Sequence, residues 1–331
     1  MLATTGALSA LSDQLTITTG IPDQASFSVA ATILNMEGLN HDGITTLLTA
    51  RLADHFSNPV PDGTAVNFIS QGGSIGNNGL GSCITVNGAC SATLTSQALR
   101  PNNGRVTVLA FAVGEESFTD TNGNGLADPG ELFDANGDST DMPEAFVNYN
   151  ESFDPITFLP TRDANEPFLD FNRNGIYDGP DGSYSGVLCN PAAGAFCSAQ
   201  KSIHVRKDIV IVFSGSTAFI DVSPSPIDLG GCGPVQPVSI HVRDVNGNPM
   251  PAGSTISVTT SDGTLSGATT FTKLNTSAPQ PVPNYFVSIK GDGALSGTPA
   301  VCTDTTTSGT LTVTVTTPLG IITTSNTDVS N

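Results

Sequence analysis

The chain has 331 residues, of which 30 are acidic and 11 are basic, and its formal net charge is −19. This balance argues against a nucleic-acid-binding role, because the chain lacks a basic surface to meet phosphates. Charged residues make up only 12% of the chain, Trp is absent, and Gly and Pro are abundant. Such a composition is typical of short strands joined by turns and argues against helical bundles. No apolar run approaches the length of a membrane span.

The first residues, Met1 to Gly6, contain neither a basic region nor an apolar core, so they are not a signal peptide. If the protein is exported, we expect either that its signal has been removed or that the chain is a piece of a longer protein. Residues 1–14 are predicted to form an N-terminal arm or linker.

An internal repeat organises the chain. Residues 54–68 and 244–258 align without a gap, and both contain an Asn-Pro-x-Pro turn followed by a glycine. The match continues at residues 70–75 and 260–265. Two copies at this spacing indicate two modules rather than a solenoid.

Each module reads as a series of short strands. Six to eight antiparallel strands with frequent turns describe a β-sandwich. We therefore predict an all-β chain with one sandwich at residues 15–213 and a second at residues 214–331. The predicted strands are 15–19, 26–34, 45–53, 64–69, 89–95, 105–113, 201–213, 217–222, 237–243, 254–260, 285–289, 309–316 and 321–325. The strand at 309–316 alternates hydroxyl and aliphatic side chains along its whole length.

Six cysteines without Cys-x-x-Cys spacing indicate disulfides and an oxidising compartment, although buried free thiols in a cytosolic protein are an alternative. Six cysteines allow about 15 pairings. Sequence separation suggests the pairs Cys83–Cys90, Cys189–Cys197 and Cys232–Cys302.

The first of these pairs constrains its own turn. A two-residue Asn-Gly turn would place Cys83 opposite Ala92 rather than Cys90. If the disulfide forms, we expect a four-residue loop from Thr85 to Gly88, with Gly88 at positive φ.

The first module contains a long acidic insertion. About 86 residues, 115–200, separate two of its predicted strands, whereas the second module needs only Thr317 to Gly320 at the corresponding place. Sixteen of the 30 acids lie between Glu115 and Asp181, where only Arg162 and Arg173 oppose them. We predict that this insertion leaves the sandwich at a hairpin tip.

Within the insertion, residues 120–131 match a twelve-residue calcium loop. Oxygen side chains occupy positions 1, 3, 5, 9 and 12, and a glycine occupies position 6. We expect Glu131, at position 12, to bind the ion through both carboxylate oxygens. The predicted ligands are Asp120, Asn122, Asn124, the Leu126 carbonyl, Asp128 and Glu131.

The pattern nearly recurs at residues 170–181. Aspartate at position 12 reaches less far than glutamate, so we expect more water around this second ion. Its predicted ligands are Asp170, Asn172, Asn174, the Ile176 carbonyl, Asp178 and Asp181. Between the two loops, alternating oxygens that could share an ion with the first loop or bind their own come from Asp134, Asn136, Asp138 and Asp141.

We therefore predict two or more Ca²⁺ ions. Mg²⁺ is a poorer fit, because it prefers octahedral sites with retained waters. Residues 163–166 are interpreted as a turn rather than a ligand set. Because no helices are predicted around the loops, we expect a static role, in which calcium cancels the acidic repulsion and orders the insertion, rather than a sensor that opens to grip a target.

Three sequence features resemble bacterial Ig-like domains of the invasin/intimin type: the Pro-x-Pro-x-Gly turn, the Gly-Gly-Ser-Ile at residues 72–75, and the run from Arg105 to Ser117. The resemblance covers most of residues 15–213 and, more weakly, 214–331. It implies two tandem Ig-like β-sandwiches in an extracellular or cell-surface rod, adhesin or stalk. The partners it implies are other protein modules, copies of the same chain, or a host or surface receptor. The family's outer-membrane barrel and lectin-like tip have no counterpart here, so no specific receptor carries over.

An enzyme is not predicted. Residues 72–76 formally match the Gly-x-Ser-x-Gly nucleophile pattern, but the predicted context is an all-β turn rather than a strand-to-helix elbow. Two alternatives to an adhesive module stay open. One is a filament subunit in which a terminal strand such as residues 2–19 pairs with the sheet edge of the next subunit. The other is a carbohydrate-binding sandwich, against which the absence of Trp and the presence of only 4 Tyr count.

Overall fold

The computed structural model describes residues 2–5, 8–11, 18–76, 81–131, 133, 141–156, 159–303 and 308–330. Short 3₁₀ helices occur at Gln24–Ser26 and Gly194–Phe196. No helix in these ranges is long and apolar enough to cross a membrane. The strands are β1 (Leu2–Thr5), β2 (Leu8–Leu11), β3 (Phe27–Ala31), β4 (Asn35–Met36), β5 (Thr45–Leu52), β6 (Ala65–Ser70), β7 (Ser74–Ile75), β8 (Ser82–Ile84), β9 (Ala89–Thr95), β10 (Arg105–Gly114), β11 (Ala145–Phe146), β12 (Phe168–Leu169), β13 (Ile203–Phe213), β14 (Phe219–Ser223), β15 (Ile227–Asp228), β16 (Gln236–Arg243), β17 (Thr255–Thr260), β18 (Thr264–Ser266), β19 (Thr270–Thr272), β20 (Tyr285–Lys290), β21 (Ala294–Ser296), β22 (Val301–Thr303), β23 (Ser308–Thr316) and β24 (Ile322–Ser330).

Two β-sandwiches of the same topology follow one another along the chain. The first combines a sheet of order β3-β5-β9-β7 with one of order β4-β13-β10-β6-β8. The second combines β14-β16-β20-β18 with β15-β24-β23-β17-β19, so every strand has a counterpart at the same place in the other sandwich. The prediction of an all-β chain with two tandem sandwiches is confirmed.

Side-chain alternation places the core of each sandwich. In β23, which alternates threonine with aliphatic residues, Leu311, Val313 and Val315 are buried. Successive side chains of a strand point to opposite faces, so this pattern turns one aliphatic face inward. Two separate apolar clusters result, one inside each sandwich. Each fully buried aliphatic side chain contributes about 1.5–3 kcal/mol to stability.

The repeated turn has the same hydrogen bonds in both sandwiches. Asp54 accepts the backbone N–H of Asn58 at 2.9 Å, and Asp244 accepts that of Asn248 at 2.8 Å. The backbone N–H of each aspartate donates to the carbonyl of the same asparagine, at 2.8 and 2.9 Å. The sequence repeat is therefore a repeat of local structure.

Most strand boundaries agree with prediction within two residues, and β9 has the predicted bounds. The predicted strand at 15–19 falls mostly outside the described residues, and Thr18 and Thr19 are not in a strand. At the start of the chain, β1 and β2 pair with each other as an antiparallel hairpin instead of forming one long strand.

The structure contains the disulfide pairs that sequence separation suggested. Their Cα–Cα distances are 5.8, 5.9 and 5.7 Å for Cys83–Cys90, Cys189–Cys197 and Cys232–Cys302, and no described cysteine is free.

The predicted four-residue turn between Cys83 and Cys90 is wrong. Val86 and Ala89 close a two-residue turn, in which Asn87 and Gly88 have φ values of 51° and 68°. The positive φ of Gly88 is confirmed. The two-residue turn is compatible with the disulfide because the flanking strands enter different sheets, β8 pairing with β6 and β9 with β5. The bond therefore joins the two sheets of the first sandwich.

The insertion leaves the first sandwich at a hairpin tip, as predicted. Strands β10 and β13 pair from Arg105↔Val212 to Gly114↔Ile203, and the insertion lies between their far ends. In the second sandwich, β23 and β24 end at the pair Thr316↔Ile322 with a short loop. The insertion then packs an apolar cluster of its own, which includes Ala145 and Val147, against Leu109 of β10.

Candidate metal-binding insertion

The first predicted calcium loop folds around Asp120. Its Oδ1 accepts the backbone N–H of Gly123 at 2.7 Å, and its Oδ2 accepts that of Gly125 at 2.8 Å. Both glycines have positive φ, 76° and 74°, a region that residues with a Cβ rarely adopt. The glycines at positions 4 and 6 thus let the chain curl around the first carboxylate.

Asp128 lies on the other side of the same loop. Its Oδ2 accepts the side-chain amides of Asn122 at 2.9 Å and Asn124 at 2.7 Å, and its Oδ1 accepts that of Asn190 at 2.6 Å. The amides of Asn122 and Asn124 lower the pKa of Asp128. The backbone N–H of Gly125 lowers the pKa of Asp120. Both carboxylates are therefore charged at neutral pH.

Glu131 closes the loop. Its Oε1 accepts the backbone N–H of Thr121 at 2.8 Å, and its Oε2 accepts that of Asp128 at 3.1 Å. In return, the Glu131 N–H donates to the Asp128 carbonyl at 3.1 Å. We call this arrangement, in which one glutamate joins two backbone N–H groups of a loop and donates to one carbonyl, a glutamate clasp. An ionised carboxylate has about four lone-pair sites, so the clasp leaves oxygen lone pairs for a cation.

The second predicted loop repeats the geometry of the first. Asp170 accepts the backbone N–H groups of Asn174 at 3.0 Å and Gly175 at 2.7 Å. Asp178 accepts the side-chain amides of Asn172 at 2.6 Å and Asn174 at 2.7 Å. The predicted ligands at positions 1, 3, 5 and 9 are thus brought together.

The clasp of the second loop differs from the sequence prediction. Glu144 accepts the backbone N–H of Phe171 at 2.7 Å and that of Asp178 at 3.2 Å, and its own N–H donates to the Asp178 carbonyl at 3.0 Å. Glu144 thus stands where Glu131 stands in the first loop. Asp181, the residue at the predicted position 12, instead accepts the backbone N–H of Ser183. Loop spacing could not reveal Glu144, because it precedes the loop along the chain.

A third clasp forms around Glu166, where the sequence predicted only a turn. Its Oε1 accepts the backbone N–H of Tyr149 at 2.6 Å, and its Oε2 accepts that of Asp163 at 2.9 Å. The Glu166 N–H donates to the Asp163 carbonyl at 3.0 Å. Relative to the first loop, Tyr149 is at position 2, Asp163 at position 9 and Glu166 at position 12.

The remaining positions of this third loop agree with that alignment. The backbone N–H of Ser152 donates to Oδ1 of Asn148 at 3.0 Å, and the amide of Asn150 donates to Asp163 at 2.7 Å. Glu151, at position 4, has a positive φ of 56°. The spacing search missed the loop because residues 153–160 interrupt it between positions 5 and 7.

A fourth clasp joins distant segments. Glu116 accepts the backbone N–H groups of Met142 at 2.7 Å and Ser185 at 2.6 Å, and its N–H donates to the Ser185 carbonyl at 3.1 Å. Asp141, a predicted ligand, accepts the backbone N–H of Gly182 through Oδ2. Burial raises the pKa of Glu116 to about 8 and also raises that of Asp141. The other predicted ligands near it, Asp134, Asn136 and Asp138, lie outside the described residues.

A cavity of about 500 Å³ lies between the second and fourth loops. Four carboxylates and two amides from these loops line it, together with apolar and small residues. Within the described ranges, however, no group of three or more His, Cys, Asp or Glu side chains is arranged to hold a metal ion. The lining acids and amides of these loops are Asp141, Glu144, Asn172, Asn174, Asp178 and Asp181, and Gln200 adds a third amide from outside them.

Aromatic packing anchors the start of the insertion on the first sandwich. The Phe118 ring stacks on the imidazole of His55, with centroids 4.1 Å apart. Tyr184 is fully buried beside Phe118, and the half-cystine Cys189 lies in the same cluster. His55 in turn hydrogen-bonds Asp23 at 3.2 Å. The insertion thus has a small apolar base in addition to its clasps.

The formal nucleophile pattern at residues 72–76 lies at a short strand. Ser74 lies in strand β7, opposite Thr95 of β9, and not at a strand-to-helix elbow. His41 contacts Ser216 at 3.1 Å, and His204 lies edge-on to the ring of Phe111.

No family model and no curated protein matches the chain. Solved structures of bacterial adhesins are similar to it. The alignment with adhesin InvE of Yersinia pseudotuberculosis has 12% identity and a TM-score of 0.26, and covers 94% of this chain and 60% of that chain. For the D0–D1 domain of intimin the identity is 8% and the TM-score 0.23, with 92% and 98% covered.

A third similar structure is invasin, a bacterial integrin-binding protein. Here the identity is 13% and the TM-score 0.23, and the alignment covers 92% of this chain and 39% of invasin. The chain thus spans less than two thirds of the InvE and invasin structures. Its structural neighbours thus include InvE, intimin and invasin, at 8–13% identity and TM-scores of 0.23–0.26.

Proposed function

We propose that the chain is a calcium-stabilised structural or adhesive module of an extracellular or cell-surface bacterial protein. The observation that carries this proposal is the recurrence of the glutamate clasp. Four loops of one acidic insertion are each closed by a glutamate that accepts two backbone N–H groups. Two of these loops also have the ligand spacing of a calcium loop.

The charge of the insertion supports a cation. Sixteen acids lie between Glu115 and Asp181, against Arg162 and Arg173. Arg162 does not pair with a carboxylate in the contacts described: its guanidinium lies 4.9 Å from the Phe168 ring centroid, and it donates to the Glu166 carbonyl at 2.6 Å. Bound Ca²⁺ would offset the repulsion among the acids. It would also join segments of the insertion that lie outside the apolar clusters.

Ca²⁺ takes six to eight oxygen ligands, including carboxylates, amide oxygens and backbone carbonyls. The donor set of the first loop fits this chemistry. In the second loop we assign the twelfth-position role to Glu144 in place of Asp181. The third and fourth loops offer the same kinds of oxygen, with Asn148 and Asp141 at their first positions. The ion would supply structural cross-linking and no catalytic step.

The other features of the chain suit an exported module. Three disulfides are compatible with an oxidising compartment. We propose Ig-like domains at residues 15–213 and 214–331, with other protein modules, copies of this chain or a surface receptor as partners. The insertion leaves the first sandwich at the β10–β13 hairpin tip, and it is the surface we assign to such contacts.

Calcium removal tests the proposal. Calorimetric titration of chelator-treated protein is expected to show Ca²⁺ binding, and limited proteolysis after chelation is expected to cut residues 115–200 while both sandwiches stay intact. A matched control is Asp208→Asn, which removes an exposed acid on β13 outside the insertion and should leave binding unchanged. Protease resistance of the insertion that is the same with and without calcium would contradict the proposal.

A further inference from the structure

The third loop lies at the opposite end of strand β10 from the point where the insertion begins. Thr107, near the start of β10, donates its hydroxyl to the Asn148 carbonyl at 2.8 Å. Two residues earlier, Arg105 makes a two-pronged ion pair with Glu151, with Nε–Oε1 and Nη2–Oε2 distances of 2.5 and 2.7 Å. The insertion therefore runs back along the sheet to the end of the first sandwich that faces the second.

Arg105 also contacts the second sandwich. Its Nη1 donates to the Ser277 carbonyl at 2.9 Å. The side chains of Arg105 and Glu151 are only 18% and 31% exposed, so solvent screens their interaction incompletely. A bidentate Arg–carboxylate pair is both stronger and more restrictive in geometry than a single hydrogen bond. One guanidinium thus joins the insertion to both sandwiches.

Buried polar contacts form another part of the same junction. Asn35 is fully buried, and its amide donates to the Met250 carbonyl at 2.7 Å and accepts the Thr276 N–H at 2.9 Å. Glu37 is 3% exposed and accepts the Thr317 hydroxyl at 2.7 Å. These contacts hold the sandwiches together directly, and Arg105 adds a contact that depends on the insertion.

We infer that the insertion is a strut that restrains the angle between the two sandwiches through Glu151, Arg105 and Ser277. Glu151 is at position 4 of the third loop and has a positive φ of 56°, which few residues other than glycine adopt. The neighbouring Tyr149 N–H is held by Glu166 at 2.6 Å. Any interaction that orders the third loop therefore also positions the Glu151 carboxylate beside Arg105.

The coupling to calcium rests on the proposed function. If Ca²⁺ orders the third loop, its removal frees Glu151 and releases Arg105 from one of its two partners. The contacts of Asn35 and Glu37 stay in place, so the sandwiches remain adjacent but sample a wider range of angles. The strut and its coupling to calcium are separate claims, because the ion pair between Glu151 and Arg105 is formed by the chain's own residues.

The test is the distribution of distances between the sandwiches, measured by double electron–electron resonance. Genetically encoded spin labels at the exposed positions Arg51 and Thr259 avoid the native disulfides. In calcium, the unmodified chain is expected to give a narrow distribution. Glu151→Gln is expected to broaden it, as is Arg105→Lys, which keeps the charge but loses the two-pronged geometry.

A matched control is Asp42→Asn, which removes an exposed partner of Arg100 on the first sandwich, away from the insertion, and should leave the distribution narrow. If Glu151→Gln and Arg105→Lys both fold, with unchanged circular dichroism, and also leave it narrow, the strut is overturned. Because Arg105→Lys changes no residue of the third loop, it serves as the independent test should Glu151→Gln fail to fold.

Calcium binding is measured separately on the same samples. If calorimetry detects no calcium but Glu151→Gln broadens the distribution, the proposed function fails and the strut stands. If calcium binds and chelation leaves the distribution narrow, the strut is independent of calcium and the proposed coupling is overturned. Broadening on both chelation and Glu151→Gln supports the strut and its coupling.

Discussion

The sandwiches and the insertion of this chain are held together by different forces. Each sandwich has a continuous apolar core with fully buried side chains such as Leu48 and Ile240. Among the described residues of the insertion, two small apolar clusters form, and glutamates that accept backbone N–H groups connect other segments. Apolar burial needs no bound ion, whereas clustered carboxylates repel one another unless a cation is present. The proposed function therefore predicts that the sandwiches stay folded without calcium and that the order of the insertion depends on it.

The two sandwiches sharpen this contrast, because they differ most at one equivalent hairpin. In the second, β23 and β24 are joined by a short loop whose Thr317 contacts Glu37 of the first sandwich. In the first, the corresponding hairpin carries the whole insertion. The same position in the fold therefore makes an inter-sandwich contact in one copy and is where the acidic insertion begins in the other.

The largest expected effect is a loss of stability in the second apolar core that leaves the insertion unchanged. Ile240→Ala removes a fully buried side chain from the second core and should lower the free energy of unfolding by about 2–5 kcal/mol. Chemical denaturation measures that loss. Calcium affinity measured by calorimetry in native buffer should not change, because the insertion belongs to the other sandwich. A loss of calcium affinity in this variant would show that the two regions are not independent.

The next effect concerns the second calcium loop. Glu144→Gln removes a charge at the clasp and should lower calcium affinity by about tenfold or more, since even groups around a metal's ligands alter affinity by about 10–100-fold. Asp181→Asn is the matched comparison, because it tests the residue that loop spacing favoured. Calorimetric titration of both variants decides between them. An equal or larger loss in Asp181→Asn would restore the spacing-based assignment.

A smaller effect tests the apolar base of the insertion. Phe118→Ala removes the ring stacked on His55, which should cost about 1 kcal/mol beyond the lost burial. Local opening should rise, so hydrogen exchange and proteolysis of the insertion should quicken while the sandwich amides keep their protection. Phe153→Ala is the control, since that ring is 57% exposed. Equal protection of the insertion in both variants would mean that the clasps alone hold it.

The smallest expected effect tests whether a surface charge on a sandwich alters the free energy of unfolding or the calcium affinity. Asp221→Asn removes an ion pair with Arg243 in which the two side chains are 66% and 31% exposed. Exposed pairs of this kind contribute about 0–1 kcal/mol. The unfolding free energy should therefore change little, and calcium affinity should not change. A change in calcium affinity here would indicate long-range electrostatics rather than local binding loops.

Much of the frame could be read from the chain before its structure was known. Hydroxyl–aliphatic alternation marked strands such as β23, and the aligned turns at Asp54 and Asp244 revealed two copies of one module. These signals are local, because strand periodicity and turn chemistry act within about ten residues. The same local reach located the first calcium loop, in which Asp120 and Glu131 lie within one twelve-residue window.

One inference that depended on distant partners was wrong. The turn between Cys83 and Cys90 was assigned the wrong length because the departure of β8 and β9 into different sheets is not visible in local spacing. Local spacing also could not show that Glu144, from an earlier segment, accepts the same kind of N–H groups in the second loop that Glu131 accepts in the first. Whether Glu144 or Asp181 binds an ion there stays a prediction.

By itself, the sequence determined that this protein is built of two repeated β modules, one with an acidic insertion rich in calcium-type oxygens. Periodicity and turn residues encode these properties over short distances. Only the tertiary structure decided which glutamate closes which loop, that the interrupted loop around Glu166 exists, and that Arg105 links Glu151 to the second sandwich. Those contacts join residues far apart in sequence, and the packing of the insertion along β10 is what brings them together.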